Sequence, residues 1–250
     1  LPLQDGFDNA GLQIGLTEVE ATGALLCLDV TEAVLDEAIA LGHNLVISHH
    51  PLIFKGYKSI TGKDYVERCI LKAIKNDIVI YSAHTNLDNA YGGVNYKIAE
   101  KIGLKNLQVL EPKENSLQDD LMQAGAGIVG ELDEPETELE FLKRIKKTFE
   151  VGCVRHNRLT GREIQKVALC GGAGAFLLPQ AIRAGADVFI TGEIKYHDYF
   201  GHEGDILMAE IGHYESEQYT KEIFYSIIRD LFPNFALQSS KINTNPIKYL

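Results

Sequence analysis

Short apolar runs alternate with amphipathic stretches along the chain, a pattern that predicts strands and helices in turn. Ala24 to Leu28 reads as a buried strand, Thr31 to Leu41 as a helix capped by Thr31 and stopped by Gly42, and Leu45 to Ser48 as a second strand. The rhythm is that of βαβ units. It continues with a helix over Asp64 to Lys75, a strand over Ile78 to Ser82, a helix over Val94 to Lys101 and a short strand around Gln108 to Leu110. The polar stretch Glu111 to Asp120, with Pro112, Asn115 and Ser116, predicts a linker or long surface loop. Beyond it, strands are expected over Met122 to Leu132, Val151 to Arg155, Val167 to Cys170, Asp187 to Ile190 and Ile206 to Ala209. Helices are expected over Glu138 to Phe149, Ala175 to Ala184, Glu193 to Phe200 and Ser216 to Leu231. The expected architecture is α/β: two lobes with central β-sheets, residues 1–120 (completed by 213–250) forming one and 121–212 the other.

Composition narrows the function classes. The 250 residues are 45% hydrophobic and 24% charged, the make-up of a globular protein rather than a disordered or collagen-like one. No apolar run reaches the roughly 18 residues of a membrane span, and no leader-like segment opens the sequence, so a cytoplasmic location is expected. The chain opens on Leu1 rather than Met, so the native start is expected to be missing. The 24 Lys and Arg set against 35 Asp and Glu give a net charge of −11. The longest basic block, Lys143-Arg144-Ile145-Lys146-Lys147, reads as a solvated helix face, so a nucleic-acid partner is not expected. An anionic small molecule remains compatible if local positive charge, most simply metal ions, offsets the acidic balance. Cys27, Cys69, Cys153 and Cys170 are scattered singly and read as reduced packing residues.

Three motifs carry chemistry. Ser48-His49-His50-Pro51 follows a strand at the point where ligands collect in open α/β sheets. Pro51 biases His50 towards an extended backbone, so the neighbouring imidazoles are expected to diverge, which suits two metal ions better than one. Ala83-His84-Thr85-Asn86-Leu87-Asp88 likewise follows a strand and offers an imidazole and a carboxylate. Gly212-His213-Tyr214-Glu215-Ser216-Glu217 follows a third, and His213 and Glu217 fall one helical turn apart. Each motif alone has a structural explanation: backbone-bonded loop histidines, a turn aspartate, or helix capping by Ser216 with Glu215 on the helix surface. Together they make a mixed nitrogen and oxygen ligand set suited to two divalent ions of Zn, Mn, Fe, Co or Ni rather than Ca. Two further stretches are weighed. Cys170-Gly171-Gly172-Ala173-Gly174 is read as a tight strand-to-helix turn in preference to an anion site. Thr191-Gly192-Glu193-Ile194-Lys195-Tyr196-His197 places Glu193 and His197 four apart, as an acid/base pair, as support for a metal ligand, or merely beside a helix capped by Thr191.

These motifs, with Asp8-Asn9-Ala10-Gly11-Leu12-Gln13-Ile14-Gly15, resemble in order the Nif-three-like family of dinuclear metal proteins, often labelled GTP cyclohydrolase I type 2 homologues. The resemblance implies His49, His50, Asp88, His213 and Glu217 as metal ligands, two α/β lobes, and a homohexameric ring built as a trimer of dimers. It also implies a helix before Leu1. Longer family members insert a further domain between the lobes, and Glu111 to Met122 is too short to hold one. The implied activity is hydrolytic opening of the GTP purine ring with release of formate, with Glu193, His197 and His84 as candidate catalytic residues. The alternatives are a non-catalytic metal-binding adaptor acting through protein partners, and a two-metal phosphoesterase.

Overall fold

The computed structural model describes residues 3–113 and 124–250. The chain divides into two compact units, one of Leu1–Leu87 with Thr220–Pro246 and one of Asp88–Tyr219 with Ile247–Leu250. In the first, β1 (Gly11–Ile14), β2 (Ala24–Cys27), β3 (Leu45–Ser48), β4 (Val79–Ser82) and β11 (Leu237–Ser239) form a sheet of order β1-β4-β3-β2-β11. β11, β2, β3 and β4 run parallel, and β1 is antiparallel to β4. Helices α1 (Glu32–Leu41) and α2 (Tyr65–Lys75) pack on one another, α3 is the single turn Thr85–Asp88 after β4, and α8 (Thr220–Leu231) packs against β2 and β11.

Local chemistry sets these helices. The Thr31 side chain accepts a hydrogen bond from the Val34 N–H at 3.3 Å, and Gly42 ends α1 at φ 70°, a left-handed conformation that glycine adopts without a Cβ penalty. Asp64 caps α2 by accepting from the Glu67 N–H at 2.8 Å. Leu25, Val46 and Ile80 from the strands, Val34, Leu35 and Ala38 from α1, and Cys69, Ile70 and Ala73 from α2 close into one core. Each large aliphatic side chain so buried contributes about 1.5–3 kcal/mol.

The second unit is built on the strand order β5-β6-β8-β9-β10-β7, with β5 (Lys105–Pro112), β6 (Gly125–Thr137), β7 (Arg155–His156), β8 (Glu163–Cys170), β9 (Val188–Thr191) and β10 (Leu207–Glu210). β8, β9 and β10 are parallel and the remaining pairings antiparallel. Helices α4 (Val94–Ile102), α5 (Glu138–Thr148), α6 (Leu178–Arg183) and α7 (His213–Glu217) complete it. Thr137 and Glu140 form a reciprocal capping box at the start of α5. The basic run lies on that helix, where Phe141, Leu142 and Ile145 are buried and the three lysines are exposed, as a solvated face requires.

Several elements differ from expectation. The unit boundary falls at Leu87, not near residue 120, because β5 pairs antiparallel with β6 and so joins the second sheet. Residues 114–120 of the expected linker, and Met122 and Gln123 of the expected strand, lie outside the described residues. The helix expected over Glu193 to Phe200 is only a 3-10 turn, Tyr196–Tyr199. The Glu193 N–H bonds the Gly172 carbonyl at 3.1 Å and the Ile194 N–H bonds Glu210 Oε2 at 3.2 Å, which ties this stretch to neighbouring segments, and the backbone at Lys195 is extended (φ −69°, ψ 148°), which breaks the helix before Tyr196. The helix expected over Ser216 to Leu231 is split into α7 and α8. Cys27, Cys69 and Cys170 are buried free thiols, but Cys153 is exposed and packs no core. Among the described residues no helix is long and apolar enough to cross a membrane.

Candidate metal centre

In the first unit, functional side chains gather where parallel strands end. Asp29 follows β2, His49 and His50 follow β3, and His84 follows β4, with Cys27, Ser48 and Ser82 aligned in register. Asp8 joins them because β1 is antiparallel, which puts its entry, with Gly11 opposite Ser82, at that same sheet end. Ser48 and Ser82 are buried, their hydroxyls hydrogen-bond each other at 2.8 Å, and Ser48 donates to the His50 carbonyl at 2.9 Å. This clamp fixes the backbone from which the histidines project.

Each of the three imidazoles has Nδ1 on an acceptor. His49, wholly buried, meets the Ala83 carbonyl at 2.9 Å; His50 meets Asp29 Oδ1 and His84 meets Asp8 Oδ1, both at 2.7 Å. A carbonyl or carboxylate can only accept, so Nδ1 carries the hydrogen and Nε2 carries the lone pair in the neutral ring. That is the tautomer of a metal-ligating histidine held from behind. The three rings lie 4.8–5.5 Å apart, and each residue offers a ligand atom within 4.8 Å of the others. His49 and His50 therefore converge, against the expected divergence. The strand pleat ends at Ser48, and the N–H groups of both histidines turn onto the Leu28 carbonyl.

Asp8 and Asp29 are the residues the motifs did not single out as imidazole partners. Asp8 has no exposed side-chain surface and also accepts from the Thr85 N–H and hydroxyl. Burial alone would raise its pKa, yet hydrogen bonds from His84 and Thr85 hold its carboxyl below the usual carboxylate range. Asp29 accepts from the Thr244 hydroxyl as well as from His50.

The second unit repeats the arrangement. Gly171 and Gly172 follow β8, Glu193 follows β9, and His213 with Glu217 follows β10, with Cys170, Thr191 and Glu210 in register. His213 Nδ1 lies 2.8 Å from Glu193 Oε1, and its Nε2 lies 3.1 Å from Glu217 Oε2. A neutral imidazole cannot donate through both nitrogens. Two flanking carboxylates are met by an imidazolium, by a protonated Glu217 donating to Nε2, or by a cation shared by Nε2 and Glu217. Glu217 is 4% exposed, and a carboxylate oxygen of Asp88 lies within 4.8 Å of one of its own, a like-charge approach that a bound divalent cation relieves. These donors fit a metal. Gly172, at φ 59°, leaves the space that Glu217 occupies, since a Cβ there would meet the Glu217 carboxylate.

The glycine-rich loop has its donors in use. Gly171, Gly172 and Gly174 N–H groups bond Asn95 Oδ1, Ser216 Oγ and Thr191 Oγ1, each at 3.0 Å, as a tight turn and not an anion site. Thr191 and Ser216 thus brace this loop and cap no helix. Glu215 is buried rather than on the helix surface. His197 is exposed, its ring 5.2 Å from that of Tyr196, and shares no helix face with Glu193.

Residues 1–246 match the family described as Duf34/NIF3 (NGG1p interacting factor 3). The chain belongs to this family. A relative from Clostridium perfringens named "GTP cyclohydrolase 1 type 2 homolog" is 38% identical over 218 residues, covering 86% of this chain and 80% of its own. One of the same name from Lactococcus lactis is 34% identical and covers 96% of this chain and 90% of its own. A Staphylococcus aureus relative of that name aligns over 349 positions, more than this chain has residues. Among solved structures, a hypothetical protein of Staphylococcus aureus matches with a TM-score of 0.90 at 34% identity, covering 98% of this chain and 93% of that one. A Bacillus cereus protein related to NIF3 matches with a TM-score of 0.88 at 26% identity, covering 99% and 94%. The two-sheet α/β architecture is that of the NIF3 family, and its buried histidine and carboxylate clusters could hold a metal.

Proposed function

We propose that this NIF3-family chain is a dinuclear metal-dependent hydrolase of the GTP cyclohydrolase 1 type 2 kind. Its ligands to two divalent transition-metal ions are His49, His50, Asp88, His213 and Glu217, the set implied by the family resemblance. The observation that carries the reading is that His49, His50, His84 and His213 each have Nδ1 on a fixed acceptor, which leaves Nε2 as the donor atom. The names of the relatives supply the substrate class, a purine nucleotide. Bound divalent ions supply Lewis acidity that makes water a nucleophile near neutral pH.

The chain's own residues do the positioning. Asp29 and Glu193 orient His50 and His213, and Gly172 leaves room for Glu217. Asp8 holds His84 so that its Nε2 can accept a proton from water, while His197 serves as a second proton-transfer group. One water adds at C8 and opens the imidazole ring to a formamide, and a second water cleaves the formamide C–N bond, releasing formate and leaving both nitrogens as amines on the pyrimidine. The resemblance also supports a homohexamer, which sedimentation analysis tests directly.

Metal analysis of the purified protein, followed by mass-spectrometric assay with GTP and a panel of phosphoesters, tests the activity, with Glu217→Ala as the comparison. The expected result is stoichiometric metal, consumption of GTP with formate released, and loss of both metal and turnover in the variant. A metal-loaded protein that turns over nothing overturns the proposal. Turnover that survives loss of metal does so equally.

A further inference from the structure

A cavity of about 560 Å³ lies within the second unit, between the turn after β8 and the segment after β9. Its volume is that of a small-molecule site. Phe176 and Phe200 line it with 60% and 57% of their surfaces exposed, an arrangement that leaves two large aromatic faces to water. Lys195 lines it too, and among the described residues its ammonium has no ion-pair partner. His197 and His202 add ring nitrogens, and Asp198 adds a carboxylate. Glu193 completes the wall, and the same side chain holds His213 Nδ1 at 2.8 Å, so the cavity abuts the second unit's candidate metal ligands.

We infer that this cavity is the substrate pocket and takes a flat heteroaromatic ring bearing a phosphorylated tail. The inference rests on the hydrolase reading above. Phe176 and Phe200 stack the ring, since any base offers a π-face to an aromatic side chain. Carboxylate oxygens of Asp198 and Glu193 accept from ring N–H and amino groups, an edge that guanine presents and that favours it over adenine. Lys195 and the histidine N–H groups meet the phosphates, giving a chain of net charge −11 a local place for an anion. His197 thereby becomes a substrate-contacting residue, although it lies off the helix on which the sequence placed it.

Calorimetric binding of GTP, guanosine and inorganic tripolyphosphate to the metal-loaded protein tests the assignment. The variants are Phe176→Ala, Lys195→Ala and, in the neighbouring cavity lined by Arg158, Arg158→Ala. Metal content and melting temperature confirm that each variant is folded. Phe176→Ala should weaken guanosine and GTP by roughly tenfold and leave tripolyphosphate unchanged. Lys195→Ala should weaken GTP and tripolyphosphate by roughly fivefold, less so at high salt, and leave guanosine unchanged. Arg158→Ala should change none of them. Wild-type GTP turnover with both pocket variants binding as wild type overturns the pocket and leaves the hydrolase reading. Pocket-dependent binding without turnover does the reverse. Failure of the wild type to bind any of the three probes overturns the ligand class.

Discussion

Replacing Asp29 separates a carboxylate that shapes a metal ligand from one that merely decorates a loop. Its Oδ1 accepts from His50 Nδ1 at 2.7 Å, with the Asp29 and His50 side chains 34% and 22% exposed. Asp29→Asn keeps an acceptor but removes the charge, and Asp29→Ala removes both. A hydrogen bond to a charged group contributes about 1.5–3 kcal/mol, and loss of the partner behind a ligating histidine typically lowers metal affinity by about 10–100-fold. Partial exposure lets water substitute and screens the charge, which favours the low end. The expected loss is therefore roughly tenfold for Asp29→Ala and less for Asp29→Asn. Thr244→Ala, which touches only Oδ2, should have the smallest effect. Competition for zinc against a chromophoric chelator measures all three, with thermal melting to confirm the fold. Wild-type affinity in Asp29→Ala, or a larger loss in Asn than in Ala, would refute the reasoning.

Gly172→Ala should act twice. A non-glycine residue in left-handed backbone costs about 1–2 kcal/mol, visible as a lower melting temperature, and the added methyl displaces the Glu217 carboxylate, visible as weaker metal binding. An Ala variant that keeps both wild-type values contradicts the close approach. The buried Glu67 accepts from the Thr61 N–H and hydroxyl and from the Lys63 N–H, and the Thr61 backbone bond leads the effects that pull its pKa down to about 2. A carboxyl depressed on folding contributes stability that is full above its unfolded pKa near 4.5 and is lost as pH falls towards 2. Denaturant titrations of wild type and Glu67→Gln should accordingly converge as pH falls through that window, and a constant gap would contradict it.

The alternation of apolar runs and amphipathic stretches carried most of the strand and helix order. The motifs at strand ends were legible because a histidine or carboxylate directly after an apolar run is a local signal. What escaped was long-range. Asp29 stands directly after Leu28 at a strand end, a signal that was present, but its partner His50 is 21 residues away and becomes a neighbour only once β2 and β3 pair. Asp8 and His84 are 76 apart and meet only because β1 runs antiparallel to β4. The helical reading of Glu193 to Phe200 failed for a related reason. Side-chain periodicity does not reveal that the backbone is extended at Lys195, in a stretch whose Glu193 and Ile194 N–H groups are anchored on the distant Gly172 and Glu210.

The split of the first unit into two stretches of sequence has a consequence for the order of synthesis. Everything from Asp88 to Tyr219 leaves the ribosome between the two parts of that unit, so the second sheet can fold as a finished insert while the first still lacks its β11 edge. Thr244 reaches Asp29 across 215 residues. A nascent chain therefore holds its histidine pair and Asp29 early but acquires the Thr244 brace behind Asp29 last. Shortening the chain before Thr244 should release that brace while leaving His49 on the Ala83 carbonyl.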